Sequence, residues 1–185
     1  KAVADAIAQQ RGVIEKVLVT VDPATVMNDP AQSAAALRLK LPNARQLEIY
    51  SGDLKEVLRA NYREFGYAKA AQLMAAQTAA GTPPVQSVYY GNGDRRLSMV
   101  IPLGSPEQAK AWVWIELPFA SVKQRFDGIS PAGGRLDLRQ SNKSGDIVLD
   151  SVGEGDLSTA DDAGVAIAHS LCRFSSAPPQ YWLPV

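Results

Sequence analysis

A change of hydrophobic period near residue 85 constrains this chain more than any other feature. Before it, apolar residues recur at helical spacing, and after it they alternate or run together as strand residues do. Val3, Ile7, Ile14, Val17 and Val21 stand 4, 7, 3 and 4 apart, with Gln10 in the remaining position of the stripe. That is one face of a long helix, entered at the first residue and ended at Asp22-Pro23. There Asp as N-cap and Pro at the first helical position announce a short second helix. Asp29-Pro30 repeats the signal, and Ala34 to Leu41 gives another helix before Pro42-Asn43.

Arg45 to Tyr50 then alternates polar and apolar residues, which predicts a half-buried strand. Asp53 is expected to cap a helical region from Leu54 to Ala80, with apolar positions at Leu54, Val57, Leu58, Phe65, Leu73 and Met74. Gly66 divides this region, and Gly81 with Pro83-Pro84 stops it. Val85 to Tyr90 and Leu97 to Leu103 flank Gly91-Asn92-Gly93-Asp94, so they read as a hairpin. Ala111 to Leu117 supplies another strand, and Pro118 starts a short helix with Phe119, Val122 and Phe126 on one face. Leu136 to Arg139 and Ile147 to Leu149 form a second hairpin, Gly153 to Gly164 an acidic loop, and Ser170 to Phe174 a last strand before Pro178-Pro179.

This order predicts an α+β fold: a long N-terminal helix plus helices packed on one side of one antiparallel sheet, made of the strand at Arg45 to Tyr50 and about five strands after the helical region. Sensor domains of the PAS and Cache type have this layout. Residues 1–43 are expected to form a helical region, with the entry helix at 1–21, and 44–185 the sheet domain, together one structural domain.

Composition narrows the chemistry. The chain has 19 basic and 19 acidic side chains, interspersed, and 46% hydrophobic residues, which suits a folded protein and argues against nucleic-acid binding. The pairs Arg95-Arg96 and Arg59/Arg63 are too short to make a basic patch. One cysteine, Cys172, and one histidine, His169, cannot assemble a zinc site, and in the strand expected there Cys172 reads as a small buried hydrophobe. No internal disulfide can form. Gly91 to Arg95 joins two strands and does not lead into a helix, so it reads as a turn, not a phosphate cradle. Glu154, Asp156, Asp161 and Asp162 lack the alternate-position spacing of a calcium loop. No Gly-x-Ser-x-Gly elbow is present, and no set of titratable groups stands out. The chain is therefore expected to be non-catalytic, with no metal and no cofactor.

Binding remains. Tyr62, Tyr67, Tyr89, Tyr90, Trp112 and Trp114 fall near the junction of helical region and sheet, and of these Tyr67, Tyr90, Trp112 and Trp114 are candidate ligand contacts. The competing reading is a half-buried aromatic packing face. The stripe of Val3, Ile7, Ile14 and Val17 is a candidate homodimer interface.

The strings Phe65-Gly66-Tyr67-Ala68, Ser98 to Leu103, Leu117-Pro118 and Gly134-Arg135-Leu136-Asp137-Leu138-Arg139-Gln140 resemble the N-terminal region of the long, membrane-anchored form of bacterial phosphomannomutase/phosphoglucomutase. The resemblance implies a Cache-like extracytoplasmic domain between two membrane spans, ahead of a cytoplasmic phosphohexomutase. It carries over no catalytic residue. The family's phosphoserine loop has a Ser-His-Asn core, whereas His169 lies between Ala168 and Ser170. Its metal loop reads Asp-Gly-Asp-x-Asp-Arg, and Gly91 to Arg95 lacks the leading carboxylates.

The chain begins at Lys1 inside a helix and contains no run of ~20 apolar residues. It is therefore expected to be a piece of a longer inner-membrane protein, periplasmic, touching the membrane only through flanking spans. The expected role is sensory or regulatory, by binding a small ligand or by dimerising. Alternatives are the sensor domain of a chemoreceptor, histidine kinase or cyclic-nucleotide enzyme, and a ligand-free dimerisation spacer.

Overall fold

The computed structural model describes residues 2–78, 85–89, 93–104, 109–131, 134–142 and 145–154. The chain is α+β. Helix α1 (Ala2–Leu18) is followed by α2 (Pro23–Asn28) and α3 (Pro30–Lys40), and both Asp-Pro signals act as caps. Asp22 accepts from the N–H groups of Ala24 and Thr25, and Asp29 accepts from that of Gln32 at 2.9 Å. These carboxylates satisfy first-turn donors that no helical carbonyl can reach.

Strand β1 (Gln46–Ser51) leads into three short helices, α4 (Lys55–Arg59), α5 (Tyr62–Phe65) and α6 (Tyr67–Thr78). The sequence reading joined most of this span into one helical region divided at Gly66. Gly66 does divide it, at φ 97°, a conformation that a Cβ would disfavour. A second break falls at Ala60-Asn61. The expected cap is displaced as well: Leu54, buried and at φ 53°, occupies the cap position of α4, while Asp53 accepts from the Lys55 N–H beside it. Leu58, expected in the apolar stripe, is exposed.

Strands β2 (Gln86–Tyr89), β3 (Arg95–Leu103) and β4 (Ala111–Pro118) complete an antiparallel sheet of order β1-β4-β3-β2. Helix α7 (Ala120–Asp127) follows, with Phe119, Val122 and Phe126 buried, and β5 (Leu136–Asn142) and β6 (Gly145–Val152) pair as a separate two-stranded sheet. The described strands thus form two sheets. The expected strand at Ser170 to Phe174, the acidic loop beyond Glu154, Cys172 and His169 lie outside the described residues.

Helices cover both faces of the four-stranded sheet, which corrects the expectation of one covered face. On one face Leu47, Ile49, Met99, Ile101, Val113 and Ile115 pack with α1, α2, α3 and α7. On the other, Tyr50, Val100, Trp112 and Trp114 pack with α4 and α6 through Leu54, Val57, Ala70, Leu73 and Ala76. The reason lies in β4. Every residue from Ala111 to Leu117 is buried, and alternating side chains point to opposite faces, so both faces need a cover. Among the described residues, no helix is long and apolar enough to cross a membrane.

The stripe on α1 belongs to this core. Val3, Ile7 and Ile14 are 7%, 7% and 2% exposed within the chain itself, and Val17 packs partly buried against the same cluster. Assigning these side chains to a partner is corrected: a helical stripe needs an apolar cover, and α7 and β3 of the same chain provide it.

Candidate functional site

The covered face beneath α6 carries a polar layer among its apolar residues. Register aligns Gln46 with Glu116, Glu116 with Ser98, and Ser98 with Gln86, so one row of polar residues crosses all four strands. Opposed residues of antiparallel strands share a face, and here it is the face that α6 covers. Gln86, Ser98 and Glu116 are buried.

Helix α6 answers this row with Lys69, Gln72, Leu73 and Ala76, at helical spacing i, i+3, i+4 and i+7. Gln72 is fully buried and acts at the centre: its Nε2 donates to the Ser98 carbonyl at 2.8 Å, and its Oε1 accepts from Ser98 Oγ at 2.7 Å and from Trp114 Nε1 at 3.1 Å. The amide thereby ties α6 to β3 and β4 at once. Buried polar groups of this kind are tolerated because each is paired.

Two ion pairs flank Gln72. Arg96 Nη1 lies 2.8 Å from Glu116 Oε2, and Arg96 Nη2 also reaches Asp94 Oδ2 at 2.7 Å. The hydrogen bonds to Asp94 and Glu116 push the Arg96 guanidinium above its ordinary pKa. On the other side, Lys69 Nζ lies 2.9 and 3.0 Å from the two oxygens of Glu48. Gln46 Nε2 and the Tyr50 hydroxyl also donate to that carboxylate. Burial pushes Glu48 up, but hydrogen bonds from Tyr50 and Lys69, with the lysine charge, more than offset it and hold the carboxyl below its ordinary pKa. Burial, and donation to Glu48, push the Tyr50 phenol up.

The lysine ammonium also sits over two rings, 4.8 Å from the centroid of Phe65 and 4.5 Å from that of Trp114. Tyr50 meets Phe65 edge to face at 5.6 Å. Aromatic faces carry negative charge density and attract cations, so Lys69 is held on three sides.

Of the sequence-predicted ligand residues, Trp112 and Trp114 come together on this face, both buried, with Trp112 Nε1 donating to the Gly52 carbonyl at 3.1 Å. Tyr67 does not join them, being 72% exposed on α6. Tyr90 and the side chains of Tyr62 and Tyr89 lie outside the described ones. Sequence reasoning missed Glu48, Lys69, Gln72, Arg96 and Glu116. The available signals were a lone carboxylate inside the apolar run Trp112 to Leu117, and Lys69 and Gln72 at core spacing with Leu73 and Ala76.

A groove of about 490 Å³ lies on the opposite face, lined in part by Gln10, Val13, Ile14, Leu41, Pro42 and Leu117. Of the sequence-predicted aromatic contacts, Tyr67, Trp112 and Trp114 do not line it. Among the described residues, no three His, Cys, Asp or Glu side chains cluster as metal ligands would. No known protein family, curated protein or solved structure matches this chain.

Proposed function

We propose that this chain is the extracytoplasmic sensory or regulatory domain of a membrane-anchored phosphomannomutase/phosphoglucomutase, with a Cache- or PAS-like fold, and that a small ligand acts at the layer between α6 and the sheet. The observation that carries the ligand reading is the pair of ion pairs, Glu48–Lys69 and Glu116–Arg96, set beside Trp114 under one short helix. Burying ion pairs contributes little to stability compared with well-packed apolar groups. A layer so rich in them is better accounted for by recognition than by folding.

In this reading the domain is not catalytic, and chemistry belongs to the cytoplasmic mutase. A ligand that shifts α6 perturbs Val100 and Trp114, whose chain neighbours Met99, Ile101, Val113 and Ile115 face the helices of the other side. Alternation along β3 and β4 thus couples the ligand face to α1, which would carry the signal as a choice between two packings. The homodimer and the periplasmic location remain parts of this proposal, with a contact surface other than the buried α1 stripe.

A thermal-unfolding screen of the isolated chain against sugars, sugar phosphates, amines, amino acids and organic acids tests it. A ligand that raises the midpoint in the wild type, and fails to do so in Gln72→Leu, supports the reading. A flat response across all classes overturns it.

A further inference from the structure

We propose that Glu48, Phe65 and Trp114 form a recognition cage for a primary alkylammonium group, and that Lys69 occupies this cage as an internal plug that such a ligand displaces. The proposal rests on the ligand reading above and names its chemical class.

The cage has the parts that ammonium recognition requires. Two ring faces lie 4.8 and 4.5 Å from the cation, and a carboxylate presents both oxygens to it at 2.9 and 3.0 Å. Gln46 and Tyr50 hold that carboxylate from its other sides, so its orientation is set independently of the lysine. Two N–H donors on one nitrogen satisfy both oxygens, which a primary ammonium such as that of Lys69 supplies and a tertiary or quaternary one cannot. A quaternary ammonium would meet the rings alone, with no donor for Glu48.

The cage is also open to exchange. The Glu48 side chain retains 32% exposure and that of Lys69 14%, and Phe65 is only partly buried while Trp114 is covered, so the cage is reachable from solvent on the Glu48 and Phe65 side. Lysine's four-carbon stem is flexible and can swing its head into water with α6 in place. What leaves with it is the link between α6 and β1, while the Gln72 links to β3 and β4 stay. Exchange therefore loosens one end of α6, a local change that the rest of the sheet can report.

The test titrates the whole chain with n-butylammonium chloride, with tetramethylammonium chloride as control at matched ionic strength, reading the Trp114 indole N–H by NMR. The wild type is expected to show a saturating shift with n-butylammonium and none with tetramethylammonium. Lys69→Ala is expected to bind n-butylammonium about tenfold tighter or more, because apparent affinity rises as the fraction of open cages rises. Adding Glu48→Gln to Lys69→Ala should abolish the binding.

If Lys69→Ala binds and the wild type does not, Lys69 is a permanent structural partner and the exchange is overturned. If neither prefers n-butylammonium over tetramethylammonium, the cage itself is overturned. Should Lys69→Ala fail to fold, the wild-type titration alone decides. A wild-type response to another metabolite class without one to n-butylammonium overturns this proposal and leaves the ligand reading standing. No response to any class removes both.

Discussion

Arg96 and Glu116 form an unequal pair: their charged atoms are 2.8 Å apart, yet the Arg96 side chain retains 24% exposure while that of Glu116 has none. Removing the arginine leaves a carboxylate in a covered layer, whereas neutralising the carboxylate leaves a guanidinium that still reaches water and Asp94. Arg96→Met is therefore expected to cost about 3 kcal/mol, the low end for breaking a buried pair. Glu116→Gln, which keeps the shape, should cost about 1 kcal/mol. Urea unfolding of the two variants checks this, and equal losses would refute the asymmetry.

Gln72 presents one buried amide to Ser98 and Trp114 together. Gln72→Leu keeps the volume and strands the indole N–H and the Ser98 groups, at about 3 kcal/mol. Ser98→Ala in the same background should recover part of that loss, since one stranded hydroxyl is gone. A double-mutant cycle reads the coupling. A coupling of zero would mean that the two side chains act independently.

Ile14 is 2% exposed in the core beneath α1. Ile14→Asp is expected to unfold the chain, or to lower its stability by more than about 3 kcal/mol, because an isolated carboxylate enters an apolar cluster. Circular dichroism and sedimentation together distinguish this from the loss of a dimer. A fully folded variant with altered mass would return the stripe to an interface.

Gly52 leaves no space for a side chain, since a Cβ there would lie 2.1 Å from the backbone oxygen of Ala109. The Gly52 N–H donates to the Lys110 carbonyl, and its own carbonyl accepts from Trp112 Nε1. Gly52→Ala must push the two segments apart and should cost about 2 kcal/mol or more. A shift in tryptophan emission should accompany the lower urea midpoint, and an unchanged midpoint would contradict the close approach.

Glu48 titrates below its ordinary range in the folded chain, so the unfolded chain binds protons first as pH falls. Its contribution is present above the ordinary glutamate pKa of ~4.3 and is lost as pH drops through the lower folded value. Glu48→Gln should flatten the acid limb of the stability curve relative to wild type and leave its neutral-pH slope unchanged. An identical acid limb in both proteins would show that Glu48 carries no such linkage. Tyr50 works in the other direction: its raised pKa stabilises the fold below the ordinary tyrosine range, and that contribution is lost as alkaline pH rises through it. Tyr50→Phe should remove this part of the alkaline loss.

Much of the fold was legible because its causes are local. Asp22 and Asp29 cap the helices they precede, Gly66 separates α5 from α6, and the strand pairs on either side of residues 91–94 and of 142–145 are antiparallel. Each follows from a side chain acting on backbone within a few residues. The cap at Leu54 was not legible, since a buried leucine held at positive φ is a choice that packing imposes against local preference.

The sequence alone determined that α1 has one apolar face, that Trp112 and Trp114 share a face of β4, and that a carboxylate interrupts the run around them. Only the tertiary structure decided what covers those faces. A stripe of Val3, Ile7 and Ile14 has the same spacing whether it meets a second copy or its own sheet, because periodicity encodes that a face is buried and not by what. Likewise Glu48 and Lys69 stand 21 residues apart with nothing local to join them. They meet because the chain breaks at Ala60 and Gly66 and lays α6 back over the sheet against β3, bringing a cation, a carboxylate and two rings to one place.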